Sequence, residues 1–90
     1  MKFIFHSDSG HGWTEVDIDL LHKLNIQDKI TTYSYLRGNK AYLEEDCDTG
    51  TLIQALKAIN EPFEIEVDLY KDYSPIRDYK RYSISNMGAQ

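Results

Sequence analysis

The sequence predicts a single α+β domain of the split β-α-β kind, and three observations predict it. Segments in which apolar and polar residues alternate are interrupted by two stretches whose apolar residues recur at helical spacing. Glycine, asparagine and proline fall at the joints between those segments. The chain has 90 residues, 41% hydrophobic and 28% charged, an ordinary globular composition with room for one hydrophobic core.

Lys2 to Ser7 reads as the first strand, with Phe3 and Phe5 on one face and Ile4 and His6 on the other. Ser9-Gly10-His11-Gly12 is a loop, because two glycines two apart suit a turn better than a helix or a strand. Trp13, after it, reads as a core anchor. A short first helix starts at Asp17, whose carboxylate can cap free N–H groups, and its inward stripe is Ile18, Leu21 and Leu24. Asn25 followed by Ile26 suits a left-handed C-terminal cap. Ile30 to Leu36 and Ala41 to Cys47 alternate as the arms of a hairpin turned by Arg37-Gly38-Asn39-Lys40. Asp48 offers the N-cap of a second helix with Leu52, Ile53, Leu56 and Ile59 inward, and Asn60-Glu61-Pro62 ends it. Phe63, Ile65, Val67 and Leu69 alternate with Glu64, Glu66, Asp68 and Tyr70, a half-buried strand with one wet face. Ser74-Pro75 opens a short helix over Ile76 to Tyr82. The order is β-α-β-β-α-β, ferredoxin-like, with both helices on one face of the sheet. The domain is expected to span 1–84, with 85–90 a frayed tail.

Charge and cysteine usage narrow the function classes. Residues 1–70 carry 13 acidic against 6 basic side chains, a net −7, whereas residues 71–90 carry 4 basic against 2 acidic, a net +2. An acidic body repels phosphate backbones, so no nucleic-acid partner is expected. Cys47 is the only cysteine, which rules out an internal disulfide. The N-terminal apolar run is broken by His6 and Asp8, and no stretch approaches bilayer-spanning length. A cytoplasmic protein without a membrane partner is expected.

The alternation also sorts residues by face. With Phe3, Phe5, Phe63, Ile65, Val67 and Leu69 turned to the helices, the opposite face gathers His6 and Asp8, Tyr33 and Tyr35, Tyr42, Glu44 and Asp46, and Glu64, Glu66 and Asp68. That face is aromatic and acidic together, a composition suited to recognition. It has two plainer readings: cross-strand tyrosines that stabilise the sheet, or a core covered by the tail, with Arg77 or Arg81 pairing its carboxylates. His6, Asp8 and His11 are the most chemical-looking group. As metal ligands, with Glu44 or Glu45 as base, they would make a small metal-dependent hydrolase, although no tight ligand spacing is matched. Glu45, on the side of Leu43 and Cys47, is expected to need a cation or a donor. The acids around Cys47 would raise its pKa, which makes it a packing residue rather than a nucleophile. Phosphate-binding glycine loops, nucleophile elbows and Cys-x-x-Cys pairs are absent from the sequence. A third reading is an acidic mimic of nucleic acid that competes for a basic protein.

The string His6-Ser7-Asp8-Ser9-Gly10-His11-Gly12-Trp13, with Tyr33-Ser34-Tyr35, Tyr42-Leu43-Glu44-Glu45-Asp46-Cys47-Asp48 and Ile76-Arg77-x-Tyr79, resembles a family of short uncharacterised proteins encoded by bacteriophages, prophages and plasmids. The family pattern carries a proline where Ser9 stands and an aliphatic residue where Thr14 stands. The resemblance implies an accessory gene of a mobile element expressed in a bacterial cytoplasm, and no particular activity or cofactor. It also implies that the loop, the acidic strand end and the tail arginine converge on one site. The leading expectation is a non-catalytic protein that binds a host or phage protein, or a small ligand, through His6, Asp8, His11, Tyr33, Tyr35, Glu44, Glu45, Asp46 and Arg77.

Overall fold

Residues 12–17 double back on the first strand as its antiparallel partner. The computed structural model describes residues 1–70 and 72–87. In it β1 (Lys2–Ser7) and β2 (Gly12–Asp17) form an antiparallel hairpin closed by the bond from the Asp8 N–H to the His11 carbonyl. Then follow α1 (Ile18–Lys23), β3 (Tyr35–Arg37), β4 (Lys40–Glu44), α2 (Asp48–Ala58) and β5 (Glu64–Leu69). A turn of 3-10 helix (Pro75–Asp78), β6 (Lys80–Arg81) and α3 (Ile84–Met87) complete the chain. The strands make one mixed sheet in the order β5-β1-β2-β4-β3-β6, in which only β1 and β5 run parallel.

The α+β class holds, but the strand order is not that of a ferredoxin-like sheet. The reason is β2. A split β-α-β unit needs a helical crossover after its first strand, and here a four-residue loop leads straight into a hairpin partner. The strand at 12–17 hides in the sequence because both of its faces are buried, so it lacks an apolar–polar contrast. Val16 enters the helix-side core, Thr14 is buried on the same side against the Thr49 hydroxyl of α2, and Trp13 enters a second core behind the sheet.

Both longer helices cover one face. Ile18 and Leu21 of α1 and Leu52 and Leu56 of α2 pack on Phe3, Val16, Leu36, Ala41 and Leu43. Asn25 and Asn60 adopt left-handed conformations, φ 57° and 55°, and end the two helices. The Ile26 N–H reaches back to the Leu21 carbonyl, and the Glu61 N–H to that of Leu56. Gly38, φ 59°, turns the β3–β4 hairpin.

The first arm of that hairpin is shorter than the alternation suggests. Residues 31–34 form turns because their polar groups bond to a helix instead of a strand. The buried Asp48 carboxylate accepts the Thr31 N–H and the Thr31 and Ser34 hydroxyls, at 2.5–3.1 Å. Tyr82, expected at the end of a helix, instead leaves β6 and enters the helix-side core, where its hydroxyl donates to the Gln27 carbonyl. Part of the expected frayed tail is a helical turn whose Asn86 N–H bonds the Ser83 hydroxyl. Residues 88–90 lie outside the described residues.

A second correction concerns β5. Phe63 packs on the core as expected, but Ile65, Val67 and Leu69 remain 39%, 57% and 76% exposed. The helices sit over the sheet centre and do not reach its β5 edge. Among the described residues no helix is long and apolar enough to cross a membrane.

Gly12 is required by packing. A Cβ there would stand 2.2 Å from Cζ of Phe5. Gly12→Ala is therefore expected to destabilise the fold by roughly 1–2 kcal/mol through overpacking. Chemical denaturation of Gly12→Ala in a Phe5→Ala background should show the cost largely removed.

Candidate functional site

The face opposite the helices is not open. The chain after β5 crosses it, and Ile76 of the 3-10 turn is buried against Trp13, Tyr35 and Tyr42, with Tyr79 packed alongside. The covered-core reading of the aromatic face is therefore the right one for its centre, and Tyr35 and Tyr42 belong to that core. Burial, then the nearby Glu15 carboxylate, pushes the Tyr42 hydroxyl up to about 12.

What fastens the crossing segment is Asp8. Its side chain is fully shielded from solvent. It accepts the Gly10 and His11 N–H groups within its own loop, at 3.0 Å each. Across the face it accepts the Ser74 N–H at 2.9 Å and Nε and Nη2 of Arg77 at 2.7 and 2.8 Å. The Arg77 pair, opposed by burial and helped by the three backbone donors, holds the Asp8 carboxyl well below the usual carboxylate range. Such a bidentate pair fixes orientation as well as position. The guanidinium also lies over the rings of Trp13 and Tyr73, 5.4 and 5.5 Å from their centroids.

His6 is equally committed. It is buried on β1, with Nε2 2.9 Å from Oε1 of Glu15 and Nδ1 3.3 Å from the Tyr70 hydroxyl and 3.7 Å from an Asp68 oxygen. It ties β2 and β5 to the strand between them. Among the described residues no three His, Cys, Asp or Glu side chains gather as metal ligands. The His6, Asp8 and His11 triad of the hydrolase reading is not assembled, because His6 and Asp8 each have other partners and His11 is exposed on the loop.

Glu44 ends β4 and caps the next helix, the role expected of Asp48. Its carboxylate accepts the N–H groups of Asp46, Cys47 and Asp48. Burial acts to raise its pKa, but those donors together hold it below the ordinary value. β4 stops there, so Glu45, Asp46 and Cys47 lie in an exposed turn. Glu45 consequently needs no buried counter-ion, and Cys47 is not a packing residue. Glu44, a little desolvation, and then Asp48 and Asp46 push the exposed Cys47 thiol up, which favours its protonated form.

Seven of the nine expected residues still meet. His11, Tyr33, Tyr35, Glu44, Glu45, Asp46 and Arg77 line one cleft of about 470 Å³, together with Trp13, Cys47 and Arg81. Its floor is aromatic, with the Trp13 and Tyr35 rings edge to face at 6.1 Å between centroids. Arg81 stacks on Tyr35 at 4.7 Å and donates to the Thr32 carbonyl. Trp13, Cys47 and Arg81 line the cleft although they are not among the nine expected residues. Arg81 had a signal, since it stands two residues after Tyr79 and shares its strand phase, but a two-residue strand is too short to register. His6 and Asp8 do not line the cleft. A second cleft of about 400 Å³, at the Gly38 turn, is lined by Leu36, Arg37, Asp78, Tyr79, Lys80 and Asn86 and gathers no comparable group of acids and aromatic rings.

The cleft offers flat apolar surface between carboxylates and guanidinium groups. Its lining also holds His11 and the Cys47 thiol, which the neighbouring carboxylates push towards the protonated form. The arrangement is suited to recognition. No family model matches the chain, nor does any curated protein or solved structure.

The Asp8 clamp fixes an acid dependence. Because the folded carboxyl lies below its ordinary value of 3.8, its stabilisation is complete above about pH 4 and is lost as pH falls towards the lower folded value. Asp8→Asn is expected to lower Tm at pH 7 by on the order of 10 °C. The difference from the parent chain should narrow between about pH 4 and pH 2, which thermal melts followed by circular dichroism would measure.

Proposed function

We propose that this protein is a non-catalytic accessory protein, of the kind carried by phages and plasmids, that acts in a bacterial cytoplasm. It binds a host or phage protein through the cleft framed by Tyr33, Glu45, Asp46 and Arg81. Interference with a host defence is a role consistent with that reading. The observation that carries the binding reading is the convergence of aromatic, acidic and guanidinium groups on one cleft. A volume of about 470 Å³ accommodates one or two partner side chains, an aromatic or arginine anchor being the best match to this lining.

Tyr33, Glu45 and Asp46 are exposed and outside both cores, so they report on binding without reporting on folding. Tyr35 and Glu44 are unsuitable for that purpose, since one is core and the other caps a helix. Tyr33→Ala with Glu45→Lys is expected to weaken capture of the wild-type partner from a bacterial lysate by about 2 kcal/mol, roughly thirtyfold. The melting curve should move little. Undiminished capture by this double variant would remove the cleft as the binding site.

A further inference from the structure

β5 closes one side of the sheet, and the only usual protection of an edge that it carries is the charge of Glu64, Glu66 and Asp68. It is six residues long and pairs in continuous register with β1. It contains no proline, lysine or glycine, and each of its residues is exposed. Short strands, prolines and charges, lysine above all, are what edges ordinarily use to refuse a further strand, and acidic charges refuse an acidic strand but not a basic one. The opposite edge has such devices: β6 is two residues long, both are basic, and α3 follows it.

The orientation of β5 is readable from its bonds. The N–H groups of Glu64 and Tyr70 donate to the Met1 and Ser7 carbonyls of the β1 side. By alternation, Ile65, Val67 and Leu69 turn their N–H and C=O groups outward. Their side chains lie on the helix-side face, beyond the reach of the helices. Glu64, Glu66 and Asp68 lie on the other face. Among the described residues, the basic side chains that meet those acids are Lys2, 3.7 Å from Glu66, and the His6 imidazole, 3.7 Å from Asp68.

A second copy of β5 is a poor match to this edge. Any register that places apolar residues opposite apolar residues also places carboxylates opposite carboxylates, which is destabilising. A strand that alternates apolar with lysine or arginine residues satisfies both faces at once. We propose that β5 is a docking edge for an extended segment of another protein, with apolar side chains on the helix side and basic ones on the acidic side. The segment adds a seventh strand to the sheet. This surface is distinct from the cleft, and the proposal rests on β5 alone.

The test uses the full chain and two synthetic eight-residue peptides, one alternating valine with lysine and the other valine with glutamate. Amide NMR shifts should move along β5 with the lysine peptide only, and the Val67 N–H should exchange more slowly when it is bound. Val67→Pro removes an outward donor without touching the β1 ladder, and should weaken binding by about tenfold. Glu64→Lys with Glu66→Lys should transfer the preference to the glutamate peptide, and supplies the same answer if Val67→Pro fails to fold. The proposal is overturned if neither peptide binds, if the shifts map elsewhere, or if charge reversal leaves the preference unchanged. It is overturned equally if the peptide-free chain sediments as a dimer with β5 amides already protected, since a second copy is then the occupant.

Discussion

The Asp8 carboxylate is the contact on which most of the rest depends. It sits in a four-residue loop yet gathers five donors, two from the loop and three from the chain that crosses the sheet. A carboxylate has about four acceptor positions on two oxygens, so this one is used to capacity. The result is that Ile76 can bury itself on Trp13, Tyr35 and Tyr42. A small sheet with helices on one side only would leave those rings wet. With the crossing segment in place, the central strands β2, β3 and β4 are packed on both faces, which matters in a chain of 90 residues with little surface to spare for burial.

A second polar node acts on the other side of the same strands. Ser34 accepts the Glu44 N–H at 2.9 Å and donates to Asp48, while its carbonyl accepts the Tyr82 N–H. Glu44 in turn holds the first N–H groups of α2. This chain of bonds decides where β4 stops, where α2 starts and where residues 31–34 turn. The cleft rim is its by-product: Tyr33 flanks Ser34 on one side of the node, and Glu45 and Asp46 follow Glu44 on the other. Because the rim hangs from a buried, mutually satisfied network, its exposed side chains are set on a rigid base.

Much of this was legible in the residues. The alternation placed His6, Tyr35, Tyr42 and Glu44 on the face away from the helices, where they are. The two left-handed asparagines and the Gly38 turn were readable from residue type, because each is a local conformational requirement. β2 was not, because a strand buried on both sides lacks the period that marks an exposed one. The roles of Glu44 and Asp48 were exchanged for a related reason. Both are acids near a helix start, and only the third dimension reveals that Asp48 faces Thr31 and Ser34 while Glu44 reaches the free N–H groups. The site was legible as a set of residue types, but its division into clamp, core and rim was not. That division depends on which acid meets Arg77, a pairing across 69 residues of sequence.

The uneven charge of the sequence becomes an uneven surface. The basic C-terminal segment spends its arginines near the centre and the β6 side of the sheet, where Arg77 meets Asp8 and Arg81 lies over Tyr35. Arg37, from the hairpin, adds a third guanidinium over Tyr79. None of these reaches β5. The carboxylates of Glu64, Glu66 and Asp68 therefore keep their field at one flank, with Lys2 as an exposed partner whose attraction is weak in water. Folding thus pairs acids in the middle of an acidic body with arginines and leaves negative charge beside β5, the longer of the two sheet edges among the described residues, whose outward backbone groups face away from β1. The apolar side of that same edge is the part the helices fail to cover. Hydrogen-bonding capacity, charge and apolar surface coincide there for a common reason: the tail and both longer helices are anchored on the central strands, and the sheet extends one strand beyond them.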